Sequence, residues 1–276
     1  LYNSAQPIFI DVDLDTMGLS PRAVATFLEE FGEIRDGFCF NKKTNKKIAA
    51  CMPMHTFGFP VHLDELITIC NKWNIPVVED AAESIGSEYK GVPTGSFGKL
   101  GVFSLNGNKI VTSGGGGVIV TNDLELGTKA KHLTTTAKKP HPYEYVHDEI
   151  GYNFRMPNIN AALACAQLEQ LDDFLVDKRN LAFEYGKYFD KKGINFREEQ
   201  PHTKANYWLM CIELENKKDR DLFLKETNDN SVMTRPIWQL IFKSSLYADF
   251  QKDDQKNALF SVSYTHPEPT RRRGIS

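Results

Sequence analysis

No run of apolar residues approaches the ~20 needed to span a bilayer, and the start of the chain is not a charged-then-apolar leader. Neither a membrane span nor a signal peptide is expected. Cysteine is scarce and unpaired in pattern: Cys39, Cys51, Cys70, Cys165 and Cys211 are odd in number, widely spread, and form no Cys-x-x-Cys pair. That argues against a disulfide framework, predicts no metal, and suits small buried thiols in a reducing compartment, so the cytoplasm is the expected location. An excess of either charge is missing too, with 33 basic against 36 acidic residues and a net charge of −3. Nothing in that balance calls for nucleic acid or an anionic membrane as partner. Internal repeats are absent, and no Gly-Lys-Ser/Thr follows the glycine run, which argues against a P-loop phosphate binder.

What is present suffices for a sizeable core, since 276 residues with 41% hydrophobic content suit one large domain with a smaller companion. The chain opens at Leu1 and reaches Ile8 almost at once, and it reads as an N-terminally truncated fragment. Residues 261–276, which carry Arg271-Arg272-Arg273, lack a hydrophobic period and are expected to be a disordered or non-native tail.

Between these ends the pattern alternates. Ile8–Asp13 reads as a strand. Ser20-Pro21 starts a helix whose Val24, Phe27, Leu28 and Phe31 fall on one face, and Gly32 ends it. Ile48–Met52 is a predicted strand, followed by a loop over 53–60 and a helix capped by Asp64. Strands are expected at Ile75–Val78, Leu100–Ser104 and Gly117–Thr121. A long helical pattern runs from Asn160 to about Arg179, and a second helix ends near Gly193. Tyr207–Ile212 and Val232–Thr234 read as strands flanking a helix over 219–227. Apolar strands alternating with helices predict an α/β fold with a mostly parallel central sheet. Residues 1–160 are expected to form the remainder of a large domain. Connecting helices follow over 161–192, and a small α/β domain over 193–260.

Chemistry concentrates in two places. Phe103-Ser104-Leu105-Asn106-Gly107-Asn108-Lys109 carries a lone lysine just beyond a buried strand and before Gly114–Gly117. Glu79-Asp80-Ala81-Ala82-Glu83 ends another strand in acid. Carboxylates at the ends of central strands point into the crevice where open α/β sheets bind ligands. A strand-end amine that can form an imine and a strand-end acid that can hold a proton on a ring nitrogen suit a pyridoxal phosphate enzyme. Asp80 also reads as an N-cap for the segment after it, and the glycine run as a plain turn. Glu79 should face away from Asp80 by strand alternation, whereas Glu83 returns to the cleft if a turn begins here. Gly151-Tyr152-Asn153-Phe154-Arg155-Met156-Pro157-Asn158 suits anion binding and a helix entry capped by Asn158 about equally.

These four motifs, in this order and spacing, resemble the DegT/DnrJ/StrS sugar aminotransferases, over residues 7 to 247. The resemblance implies the aminotransferase fold type I, pyridoxal 5'-phosphate as cofactor, and a homodimer with a shared active site. By the same resemblance Lys109 joins the cofactor as an imine and moves the proton, and Asp80 pairs with the pyridinium nitrogen. Ala82 packs on the ring and Glu83 lies near its oxygen. Ser104 binds the phosphate, and Asn153 reaches the cofactor of the neighbouring subunit. His55 in the Pro53-Met54-His55 loop and Arg155 are implied substrate contacts, His55 reading equally as a loop-ordering residue. The stretches Lys131–Lys138 and His147–Ile150 are similar to the branch acting on nucleotide-linked 4-keto sugars in legionaminic-acid or bacillosamine-type synthesis, with an amino-acid donor, glutamate in the family. Roughly the first hundred residues of the family pattern, including a phosphate-gripping loop, have no counterpart here. Two alternatives remain. In the dehydratase branch histidine replaces the imine lysine, and Lys109 argues against it. The other is a non-catalytic or regulatory member of the fold, or an inactive fragment. Thr234-Arg235-Pro236-Ile237-Trp238 suits a contribution to the sugar pocket, but a salt-bridged structural arginine is the more frequent explanation, and the stretch is left out of the catalytic set.

Overall fold

The computed structural model describes residues 3–268. Helix α1 spans Pro21–Phe31; Ser20 accepts the Ala23 N–H at 3.3 Å, and Val24, Phe27 and Leu28 are buried. Gly32 must be a glycine, because a Cβ there would lie 2.5 Å from Leu28 O and 2.6 Å from the Trp73 ring. Strands β1 (Gly32–Arg35), β2 (Phe38–Asn41) and β3 (Lys46–Lys47) then form an antiparallel sheet absent from the sequence reading. Its signal was Asp36-Gly37, a two-residue loop with φ of 49° and 77° that suits a tight hairpin.

Helix α2 follows over Leu63–Lys72. His62, not Asp64, stands at its N-cap; Asp64 lies in the first turn and its carboxylate takes Tyr89 Oη and Lys90 Nζ instead. Five strands follow, β4 (Val78–Asp80), β5 (Glu88–Tyr89), β6 (Val92–Pro93), β7 (Leu100–Ser104) and β8 (Gly117–Val120); β4, β7 and β8 form the central sheet, and β5 and β6 belong to a separate small one. Strand β4 runs parallel to β7, and β7 pairs antiparallel with β8 at the edge of an otherwise parallel arrangement. The Cys51–Met54 stretch continues it on the other side through parallel bridges to Val77 and Asp80.

After α3 (Leu124–Thr134), the long helical pattern breaks at Glu169-Gln170 into α4 (Asn158–Leu168) and α5 (Leu171–Asp190). Pro157, not Asn158, occupies the N-cap of α4. Ala164 of α4 packs with Leu105 and Val111, and Leu175 of α5 covers Gly86. Strands β9 (Asn195–Phe196), β10 (Thr203–Lys204) and β11 (Met210–Glu213) lead to α6 (Lys217–Asp229) and α7 (Lys256–Tyr264). The last described strand is β12 (Thr265–Glu268), which pairs with β11, so residues 261–268 take part in helix and strand. Arg271–Arg273 of the expected tail lie outside the described residues.

Three expected strands do not form, and of them Ile48–Met52 contributes only the single Cys51 bridge to Val77. Ile8–Asp13 makes only single bridges, to Lys252 and Leu19, and Val232–Thr234 is irregular. There the Thr234 hydroxyl is drawn into bonds with Thr227 and Asn228 at the end of α6. One hydrophobic cluster joins Phe57 and Phe59 of the early loop to Phe189, Tyr207, Trp208 and Met210, and β10 pairs with β5. The late segment is therefore anchored on the early one by apolar packing and by backbone bonds. Among the described residues no helix is long and apolar enough to cross a membrane.

Candidate active site

Adjacent parallel strands end at the site. Asp80 closes β4 and Ser104 closes β7, and the Asp80 register partner is Val102. Strand alternation then separates the two neighbouring acids. Glu79 is fully buried on the far side, accepting the N–H groups of Gly95, Phe97 and Gly98 at 2.7 Å each and facing His55 Nε2 at 3.1 Å. Burial would raise its pKa, but His55 and the amides hold it below the ordinary carboxylate range. His55 Nδ1 accepts the Val61 N–H at 3.3 Å, and its side chain has no exposed surface. His55 thus orders the 53–60 loop and faces no cleft.

The half-buried Asp80 accepts the Ala82 N–H at 3.1 Å, fixing a turn that carries Glu83 inward; no helix follows it. Lys109 lies on a loop closed by Leu105 N–H to Gly116 O and Ser113 N–H to Leu105 O, both 3.0 Å. Gly114 and Gly116 take φ of 81° and 87°, the left-handed region where glycine is favoured. This loop returns the chain so that the Lys109 amine stands 3.6 Å from Glu83 Oε1 and 3.7 Å over the Trp208 ring. Burial lowers the Lys109 pKa, with Glu83 and Asp80 both opposing, so Asp80 lies within electrostatic reach of the amine. Burial likewise pushes Glu83 up to about 7, against the Phe57 N–H and Lys109, with Asp80 adding to the rise.

The structure therefore brings Lys109, Glu83 and Asp80 into electrostatic reach of one another, with Ala82 tied to Asp80 through its N–H and Ser104 at the neighbouring strand end. The Ser104 hydroxyl accepts the Asn106 N–H at 3.3 Å, an arrangement that leaves its own proton to donate. A cavity of about 520 Å³ opens on Lys109 and is walled by Phe174, Lys178, Trp208, Arg235 and Trp238. Asp80, Glu83 and Ser104 do not line that cavity. Asn153 and Arg155 sit apart from it on an exposed segment, where Asn153 bridges to Thr135. That segment passes beside the glycine loop, with Asn160 Nδ2 bonded to Ser113 O at 2.5 Å.

Sequence reasoning missed Trp208, Asn206 and Phe57, whose roles come from contacts across the chain, and it set Arg235 aside. Among the described residues no acid pairs with Arg235, whose side chain donates to Asn228 Oδ1 and Thr234 O. Metal-type clusters among the described residues, Asp13 with Asp15 and His62 and His132 with Asp148 and Glu149, lie away from this amine, and the sequence implies no metal.

The fold that places this acid and amine is shared with known aminotransferases. The chain superposes on Helicobacter pylori PseC, an aminotransferase involved in pseudoaminic acid biosynthesis, with a TM-score of 0.85 at 23% identity, covering 97% of this chain and 69% of that one. A Brucella abortus DegT DnrJ EryC1 StrS aminotransferase gives the same TM-score over 96% and 68% of the two chains, at 22% identity. The chain belongs to the DegT/DnrJ/EryC1/StrS aminotransferase family, whose profile matches residues 1–266. It is 35% identical over 248 residues to EpsN of Bacillus subtilis, and 33% identical over 252 residues to the GDP-perosamine synthase of Escherichia coli O157:H7. It covers 90% and 91% of its own length in these matches, but spans only 61% and 64% of the relatives.

Proposed function

We propose that this chain supplies the imine-forming half of a pyridoxal phosphate site, in a protein that transfers an amino group from an amino acid to a nucleotide-linked keto sugar. One observation carries the reading: a largely buried lysine amine on the wall of a cavity stands 3.6 Å from the Glu83 carboxylate and within electrostatic reach of Asp80 at the end of β4, and burial lowers its pKa. The donor set fits the cofactor chemically, with an acid and a hydroxyl on adjacent strand ends and an amine on the loop that follows β7. When bound, the cofactor supplies an electron sink that lets a proton leave the carbon bearing nitrogen.

The chain's own groups have separable tasks. Asp80 holds a positive ring N–H by charge, rigid because its other oxygen is tied to Ala82 N–H. The Ala82 side chain offers a small apolar surface to a ring, and the Ser104 proton is available to a phosphate oxygen. Lys109, whose pKa burial lowers, takes and returns a proton at its Nζ. Glu83 stands beside that nitrogen. Asn153 and Arg155 are displayed outward, with Tyr143, Ile150, Phe154 and Ile159 exposed around them, as suits a contribution to a second copy. A homodimer, the shared site and a cytoplasmic location belong to this proposal. So do glutamate as donor and a 4-keto-6-deoxyhexose as acceptor, for surface glycan or nonulosonic-acid synthesis, in keeping with relatives named for such products.

The test uses the Asp80→Asn variant of the full-length protein and a panel of GDP- and UDP-linked keto sugars with glutamate. The variant should bind pyridoxal phosphate and transfer nitrogen at least ~100-fold more slowly, the scale of a positioned acid–base group. Undiminished transfer would refute the role of Asp80, and transfer to no keto sugar by the parent would refute the activity.

A further inference from the structure

Trp208 is where the late segment touches the reactive amine. Its indole Nε1 donates to Asn108 O at 2.8 Å, which ties the ring to the residue before Lys109. Its backbone N–H donates to Asn206 Oδ1 at 2.8 Å, and Asn206 Nδ2 in turn donates to Glu83 O at 2.8 Å and Ile85 O at 2.9 Å. Trp208 and Glu83 are therefore held at fixed separation by one buried side chain. The Lys109 Nζ lies 3.7 Å over the indole ring and 3.6 Å from the Glu83 carboxylate. The other Glu83 oxygen accepts the Phe57 N–H at 2.8 Å, so the carboxylate cannot swing away. Phe57 and Trp238 back the indole, with ring centroids 6.5 and 6.3 Å from it.

We propose that the Trp208 indole face and the Glu83 carboxylate form a resting niche for the Lys109 ammonium, occupied whenever that nitrogen carries no other group. Trp208 is then a positioning residue that acts through Lys109. An amine that is released and re-engaged in each turnover needs a defined place to wait, and an aromatic face with one carboxylate favours the charged form without a strong ion pair. The other charged groups around the niche are few. Asp80 faces the amine from the end of β4, and Lys178 of α5 donates to Trp208 O at 3.0 Å behind the ring. Asp177 and Arg235 lie further along the cavity wall, Arg235 turned to Asn228.

The inference rests on Lys109 being the reactive amine, but its test needs no cofactor. Lysines of the cofactor-free chain are labelled at pH 7 with a neutral acylating reagent, which attacks only the uncharged amine. Rates are read by mass spectrometry against exposed Lys72 and Lys243. Glu83→Gln keeps an acceptor for the Phe57 N–H and removes the charge, so Lys109 should label ~10-fold faster. Trp208→Phe keeps a ring with a weaker face and should label about threefold faster. Fully buried Cys70 staying closed to a thiol reagent certifies that each variant is folded; if one opens, the other carries the test. An unchanged or slower Lys109 rate in a folded variant overturns the niche. The cofactor reading fails separately, if borohydride does not fix pyridoxal phosphate on Lys109.

Discussion

Glu83 and Glu79 are carboxylic acids four residues apart with opposite electrostatics. Glu79 is satisfied by three amides and His55, whereas Glu83 has one amide and a lysine that stands beyond hydrogen-bond distance. Burial therefore wins at Glu83 and its pKa rises from 4.5 to about 7. The folded chain holds this proton more tightly than the unfolded chain does. Stability from Glu83 is thus fully present below pH ~4.5 and is lost as pH rises through about 7. Glu83→Gln removes that dependence. Denaturant titrations from pH 5 to 8 should show the wild type losing on the order of 2–3 kcal/mol relative to the variant across this window. Parallel curves would contradict the assignment.

At the scale of elements, Asn206 is the staple between the Glu83 turn and the approach to β11. It is fully buried, donates to Glu83 O and Ile85 O, accepts from Trp208 N–H, and its own N–H meets Ser87 Oγ at 3.0 Å. Asn206→Ala leaves two carbonyls and one amide buried without these partners, so unfolding free energy should fall by about 2–4 kcal/mol. A loss under ~0.5 kcal/mol, the size of an ordinary surface change, would show that the staple is dispensable. Elements whose signals are local were legible in sequence: α1 from Ser20-Pro21 and its stripe, β7 and β8 from their apolar runs. The break between α4 and α5 was not, because helical periodicity continues through Glu169-Gln170 and only packing on Leu105 and Gly86 separates the two. Ile8–Asp13 alternates like a strand, but its partners, Lys252 and Leu19, are single residues. Lys109, Asp80 and Ser104 were legible as strand-end chemistry. Trp208 was not, since its meaning lies in a contact 100 residues away in the chain.

For the whole molecule, one apolar cluster and the β5–β10 pairing fasten the segment after α5 onto the early loops, so the cavity has walls from both. The acid ends a strand of the central sheet, the amine stands on the loop between β7 and β8, and the aromatic wall comes from the later segment. The family, fold and cavity then converge on a single covalent claim. Full-length protein is mixed with pyridoxal phosphate, reduced with borohydride, digested and mapped by mass spectrometry. The cofactor mass should appear on Lys109 alone and vanish in Lys109→Ala. A label on another lysine, or a Lys109→Ala protein that is labelled as well as its parent, would contradict the account.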